Sequence, residues 1–274
     1  MKTNIYLIIL ALLSLHLSSC DDGDVLTPVP SLLVVEGWAE AGQSPHVLLT
    51  SSIALKQEYQ SIDSLANHII RYADVSISDG QQKCYLTGKA RNKNYSFPFE
   101  YTTGQITCQE GHTYTLQIDY DDYHVSATTT IPTSCQLDTI FAVEVSPSLY
   151  KIVAIPSSSS NDSSNALFFV KNENTGGDYQ YVPQNRNNRG EIELFCPLQL
   201  GEDSGDQYFH SGEEIYVKYT NMPSEGKNFW TSYSEILTLS RNFLLPFTGK
   251  IDSNVTGGKG YWLGYNSSYY RIIL

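Results

Sequence analysis

The chain has 274 residues, with 17 Lys and Arg against 29 Asp and Glu, for a formal net charge of −12 at neutral pH. That balance excludes a nucleic-acid binder, whose phosphate contacts demand a basic footprint, and it excludes attachment to anionic lipid by charge. Only 17% of residues are charged while tyrosine alone counts 20, so the surface must be rich in Ser, Thr, Asn and Tyr, as suits an extracellular β-protein.

Lys2 is followed by an apolar run from Ile5 to Leu17 that only Ser14 and His16 interrupt. The run is too short to span a hydrocarbon core, which needs roughly 20 residues. With its positive start and small residues at the end it has the form of a secretory signal. Leu17-Ser18-Ser19-Cys20 resembles the lipobox of bacterial lipoproteins, in which the cysteine thiol receives a diacylglyceryl group and its freed amine a further acyl chain. Each buried methylene contributes about 0.8 kcal/mol, so several chains anchor stably. The expectation is a signal peptide over 1–19, lipidation at Cys20, and a tether over 20–30 kept extended by Thr27-Pro28-Val29-Pro30. Asp21, Asp22 and Asp24 resemble the acidic export signal of Bacteroidota surface lipoproteins, and the alternative reading is a solvated acidic tether. The predicted location is the outer membrane, lipid-anchored and facing the cell exterior.

Leu32 to Trp38 reads as a buried strand, followed by a turn at Glu40-Ala41-Gly42-Gln43 and a returning strand over His46 to Thr50. Ile53 to Ile70 reads as an excursion or short helix. Ala73 to Ser78 and Lys83 to Leu86 flank Asp79-Gly80, a pair that supplies the positive φ angles of a tight hairpin turn. Gly111 to Tyr120 alternates, with Tyr114, Leu116 and Ile118 on one face. It turns at Asp121-Asp122 and returns from His124 to Thr130. Short alternating strands with regular turns predict an immunoglobulin-like β-sandwich over 31–133.

A second β-rich domain is expected over 137–274. Thr139 to Val145 and Tyr150 to Ile155 read as paired strands, Ser157 to Asn165 as a loop, and Leu167 to Asn172 as a strand before a Thr175-Gly176-Gly177 turn. Gln184 to Gly190 reads as loosely ordered and Glu214 to Thr220 as a strand. The convincing helix is 225–241. Ser224 is a candidate cap, and Phe229, Tyr233, Ile236, Leu237 and Ser240 fall on one face. Cys84, Cys108, Cys135 and Cys196 permit two disulfides with three possible connectivities, or serve as buried thiols. The fold class is thus mainly β.

Leu33-Val34-Val35-Glu36-Gly37-Trp38, Val47-Leu48-Leu49-Thr50, Val75-Ser76-Ile77-Ser78-Asp79-Gly80, Tyr101-Thr102-Thr103-Gly104 and Gly111-His112-Thr113-Tyr114-Thr115-Leu116 follow one another in an order that resembles the Bacteroidota lipoproteins called domain of unknown function 4249. Pro246-Phe247 and Ser253 to Trp262, with Gly257-Gly258-Lys259-Gly260 inside, are similar to that family's closing signature. Trp262 stands where Phe is commoner, and 184–190 has no counterpart. The family has no assigned activity. Its genes often lie beside TonB-dependent outer-membrane receptors, so the resemblance implies an accessory lipoprotein of a transporter.

Motifs for chemistry are sparse. Gly257-Gly258-Lys259-Gly260 lacks the strand-before, helix-after context of a phosphate loop and reads as a tight turn or bulge. Asp119, Asp121 and Asp122, or Glu202, Asp203 and Asp206, carry calcium-type oxygens without the spacing of a twelve-residue loop. His46, His68, His112, His124 and His210 are scattered singly, and no Gly-x-Ser-x-Gly element accompanies them. Asp63-Ser64-Leu65 and Asp138-Thr139-Ile140 resemble bacterial O-glycosylation sites. No catalytic residue, metal site or cofactor is expected. Aromatics crowd the C-terminus, among them Trp230, Tyr233 and Tyr269. Most should be core, and Trp262, Tyr261 and Tyr265 are candidate contacts for a partner or a glycan. The expected function is non-catalytic capture or uptake beside a TonB-dependent receptor. The alternative is a free-standing carbohydrate-binding or adhesive module.

Overall fold

A computed structural model of the chain describes residues 32–52, 68–91, 97–158, 164–197, 207–240 and 251–274, all within the compact unit Leu32–Leu274. Cys20 and the tether, most of the 53–70 segment, Asp63-Ser64-Leu65, and Glu202, Asp203 and Asp206 lie outside the described residues. The protein is mainly β, as its short alternating apolar runs predict.

Strands β1 (Leu33–Glu40) and β2 (His46–Ser51) form the first antiparallel pair. The hairpin of β3 (Asp74–Ser78) and β4 (Lys83–Ala90) turns at Asp79-Gly80. There Asp79 Oδ1 accepts the amides of Gln81 and Gln82, a side-chain-made turn of the kind Asp favours. After β5 (Phe99–Thr102), which the sequence reading missed, β6 (Thr113–Tyr120) and β7 (Tyr123–Thr130) pair along their whole length. Tyr114, Leu116 and Ile118 are buried as the alternation requires, and Thr hydroxyls pair across the outer face, Thr113 with Thr130 and Thr115 with Thr128. β8 (Leu137–Ser146) and β9 (Leu149–Pro156) also pair as expected.

The second half runs through β10 (Leu167–Asn172), β11 (Gln180–Val182), β12 (Asn185–Arg186), β13 (Ile192–Leu194), β14 (Phe209–His210) and β15 (Glu214–Asn221). Helix α1 (Ser224–Ser240) and β16 (Lys259–Ile273) follow. Two readings are corrected. The 184–190 segment is ordered: β12 pairs with β13, and Asn187 Oδ1 accepts the amides of Arg189 and Glu191 across the turn between them. At the start of α1 the Ser224 hydroxyl donates to Glu225, while the Pro223 carbonyl accepts the amides of Gly226 and Lys227.

Hydrogen bonding links an eleven-stranded sheet in the order β11-β10-β15-β16-β1-β2-β5-β4-β3-β6-β7, and β12, β13, β9 and β14 form a second sheet with β8 against β9. The long sheet curls, so that β6 and β7 cover β1 and β16 in a sandwich-like arrangement. The indole N–H of Trp262 donates to the Tyr114 carbonyl at 3.0 Å, and the amide of Gly264 donates to Thr129 Oγ1 at 2.7 Å.

β16 joins the halves. It runs antiparallel to β15 and parallel to β1, with Tyr261 opposite Glu36 and Tyr265 opposite Glu40. Every other strand pairing among the described residues is antiparallel. The parallel seam depends on Gly260, whose φ is 107° and where a Cβ would lie 1.8 Å from the Val35 carbonyl oxygen. A side chain cannot occupy that space, and an L-residue resists that φ.

Alternation then assigns the faces. Trp262 points into an apolar cluster with Leu33, Val35, Leu116 and Ile118, and Tyr270 and Ile272 pack against a second cluster around Phe168, Ile152 and Val217. Tyr261, Leu263 and Tyr265 point the other way, into a third cluster with Phe229 of α1. Trp262 has no exposed surface. Trp262→Ala is therefore expected to cost about 3–5 kcal/mol, the range for deleting a large buried ring. Gly260→Ala is expected to abolish the cooperative transition, because the clash is with backbone. Urea unfolding of both variants checks this, and a Gly260→Ala midpoint equal to the wild type would refute the account of the seam.

Candidate functional site

On β1 the residues alternate: Val35, Gly37 and Ala39 turn inward, while Glu36, Trp38 and Glu40 share the opposite face. The parallel partner β16 sets Tyr261, Tyr265 and Tyr269 on that same face, β2 adds His46 and Leu48, and β15 adds Lys218. Phe169 and Lys171 of β10, Lys89 of β4, Arg91, Glu100 of β5 and Trp230 of α1 complete the walls. Together they bound a cleft of about 800 Å³, a size that suits a small-molecule ligand. One rung of the sheet crosses its floor, with Tyr261 opposite Glu36 and Glu36 opposite Leu48, and Glu100 faces Lys89 on the neighbouring strands.

Its charges are largely paired. Lys218 Nζ lies 2.8 Å from Glu40 Oε2, with both side chains nearly withdrawn from solvent. The Tyr269 hydroxyl donates to the other Glu40 oxygen, and the Lys218 ammonium lies over the rings of Tyr265, Tyr269 and Tyr179 at 5.3, 5.6 and 5.9 Å. Glu100 meets His46 Nδ1 at 2.9 Å, Lys89 at 3.2 Å and Arg91 Nε at 3.3 Å. Arg91 also holds Asp178 at 3.1 Å, and Trp38 stacks on the His46 ring at 5.1 Å. Burial opposes ionisation of Glu100, but the hydrogen bonds and charges of His46, Lys89 and Arg91 outweigh it and hold the carboxyl below its usual value.

Glu36 differs. Its side chain reaches solvent inside the cleft, yet protein surrounds it, and this desolvation pushes its carboxyl up. The nearby negative charge of Asp178 acts in the same sense; the Tyr261 hydroxyl, donating to Oε1 at 2.7 Å, and the Arg91 charge oppose it. Burial likewise pushes up the phenols of Tyr261, Tyr265 and Tyr269, and that of Tyr179 to about 12, so all four serve as neutral hydroxyls.

The aromatic wall is locked by its own contacts. The Trp230 indole donates to the Tyr265 hydroxyl at 3.0 Å and meets Phe169 edge-on at 5.1 Å, a geometry that aromatic pairs favour.

Residues 23–271 match the family model described as Domain of unknown function (DUF4249). The chain belongs to this family. No curated protein matches it.

Within this DUF4249 member the aromatics suggested by sequence divide. Tyr261 and Tyr265 line the cleft, each with a small exposed fraction. Trp262, between them, is corrected from a contact residue to a core residue, because strand alternation turns it to the opposite face, where it has no exposed surface. The lipidation candidate Cys20 lies outside the described residues. Of the alternatives open for the cysteines, Cys84, Cys108 and Cys135 are buried free thiols, with burial pushing Cys108 and Cys135 up to about 12. Cys196 is half-buried, its Sγ 3.8 Å from the Pro197 carbonyl. Asp119 pairs with His124 Nδ1 at 2.6 Å, and Asp138 and Thr139 are exposed on β8. Among the described residues no three His, Cys, Asp or Glu side chains are placed to hold a metal ion. Sequence reasoning missed Glu36, Trp38, Glu40, His46, Glu100 and Lys218 as site residues. The signal that could have found three of them is Glu36-x-Trp38-x-Glu40, polar and aromatic residues on one face of a strand whose other face is apolar.

Two outcomes follow from this electrostatic arrangement. Lys218→Met leaves the Glu40 carboxylate buried without its cation, and is expected to cost about 3 kcal/mol or more. Replacing Glu40 with Met in the same chain should recover much of that loss, as measured by urea unfolding of the double-mutant cycle. Glu36→Gln should raise the melting temperature at pH 7. The folded-state value of Glu36 is raised, so the native state is penalised above it and unpenalised below the ordinary glutamate value of 4.5. The gain should therefore fade as pH drops toward 4. A gain that grows on acidification would contradict the assignment.

Proposed function

We propose that this protein is an outer-membrane lipoprotein, anchored through Cys20 and facing the cell exterior, that captures a small ligand in the cleft for a TonB-dependent transporter. The observation that carries the reading is the cleft itself, about 800 Å³ lined by fixed aromatic rings and paired charges. A concave site of that size is the usual form of a small-ligand site, and this one joins aromatic faces to a dense set of charged side chains. The anchor is supported by Leu17-Ser18-Ser19-Cys20 and the aspartates after it, and the transporter by what the family resemblance implies.

The role is binding, not catalysis. Glu40 and Glu100 are engaged in ion pairs, which suits carboxylates that shape a site more than ones that exchange protons. The second reading, a carbohydrate-binding or adhesive surface module, is favoured by the half-buried Trp38 ring on the cleft wall, since sugars stack on such faces.

Affinity purification of the tagged protein from envelopes in mild detergent tests the first reading. A β-barrel receptor should come with it, and a palmitate analogue should label the wild type but not Cys20→Ala. Recovery of a labelled protein with no receptor, together with glycan-array binding that Trp38→Ala removes, would favour the second.

A further inference from the structure

The cleft already shows how it holds one cation. Around Lys218 the elements are a carboxylate, Glu40, a tyrosine hydroxyl donating to that carboxylate from Tyr269, and three aromatic faces around the ammonium. Four residues earlier on the same face of β1 the motif recurs in part. Glu36 accepts a hydrogen bond from the Tyr261 hydroxyl, and Tyr261 lies 5.7 Å between ring centres from Trp230, which also lines the cleft, with Phe229 packed behind it at 4.5 Å. Yet among the described residues no basic side chain lies within ion-pair distance of Glu36.

The other three acids of the lining each have one: Glu40 has Lys218, Glu100 has Lys89 and Arg91, and Asp178 has Arg91. The fourth base of the lining, Lys171, is paired with Glu173 outside the cleft, at 2.7 Å. With Lys171 held by Glu173, Glu36 is the acid of the lining that has no base beside it among the described residues. It is also the most exposed acid of the four, so a ligand can reach it. A cation beside aromatic faces gains both from the ring quadrupoles and from a carboxylate whose water is partly excluded.

We propose that the cleft binds a small organic cation, an ammonium or guanidinium group on an apolar or aromatic body, with the cationic group on the Glu36 carboxylate. This rests on the reading of the cleft as a ligand-capture site, and it adds the chemistry of the ligand. The desolvation that pushes the Glu36 carboxyl up is the cost that such a cation offsets.

Tryptamine and tryptophol test it, because they share an indole and differ in ammonium against hydroxyl. Calorimetric titration of the full chain should show tryptamine binding at least tenfold more tightly than tryptophol. Glu36→Gln, checked for folding by its melting curve, should bring the two within about twofold. Equal binding of both probes by the wild type, or a preference that survives Glu36→Gln, would overturn the cationic assignment while leaving a ligand-binding cleft. Binding of neither probe would also overturn it. The transporter reading is judged separately by receptor co-purification, so the two can fail independently.

Discussion

The parallel seam between β1 and β16 is the constraint from which the rest of the architecture follows. It joins the first strand of the described body to its last across more than 200 residues of chain, with Val34 opposite Lys259 and Glu40 opposite Tyr265. Closing so long a loop is entropically unfavourable, and the contact made in return is intimate: Gly260 brings backbone against backbone at Val35. Because strand side chains alternate strictly, fixing this one register fixes which residues of both strands face the interior and which face the cleft. A slip of one residue would move Trp262 into the cleft and Tyr261 into the core. The fold and the candidate site are thus specified by the same hydrogen bonds.

The cleft is chemically expensive to maintain. Burying charge is unfavourable unless the partner geometry is good, and here Glu40, Glu100 and Asp178 are each matched by a base whose position is set by a different strand or loop. Such pairs contribute little net stability, but they hold side chains in place. Lys218 is fixed by one carboxylate oxygen and by three rings, and Glu100 by His46, Lys89 and Arg91. Against this matched background an unmatched carboxylate is conspicuous, since nothing in the packing requires Glu36 to be acidic. Sites where local stability is sacrificed are where function is usually found.

Local structure was legible because its causes are local. Asp79-Gly80 dictates its turn, the alternation of Tyr114, Leu116 and Ile118 dictates the inner face of β6, and the apolar spacing from Phe229 onward marks α1. The cleft was not legible, because its contacts join residues far apart: 178 positions for Lys218 and Glu40, 225 for Tyr261 and Glu36, and 229 for Tyr269 and Glu40. No local pattern states which distant strands pair. The C-terminal aromatics show the difference within one stretch. Read as a group they suggested a shared role for Tyr261, Trp262 and Tyr265. Read with a period of two they separate into a core residue and two cleft residues, and that period becomes certain only once 259–273 is known to be one strand. Short pieces such as β5 and β12 were missed for a related reason, since their pairing with longer strands defines them more than their own sequence does.

The same packing bears on how a ligand would be held. Ordering side chains on binding costs roughly 0.5–1.5 kcal/mol for each flexible group immobilised, and the cleft has little left to order. Trp230 is tied to Tyr265 by a hydrogen bond and braced edge-on by Phe169, Tyr261 is tied to Glu36, Tyr269 to Glu40, and Trp38 is stacked on a histidine that meets Glu100. These restraints come from β1, β2, β5, β10, β16 and α1, so no single element can relax without disturbing the others. A rigid aromatic wall with its polar atoms already aimed spends less of a ligand's interaction energy on rearrangement. Fixed ion pairs of this kind would also favour a ligand of complementary charge, because turning them toward the wrong sign would break their pairing.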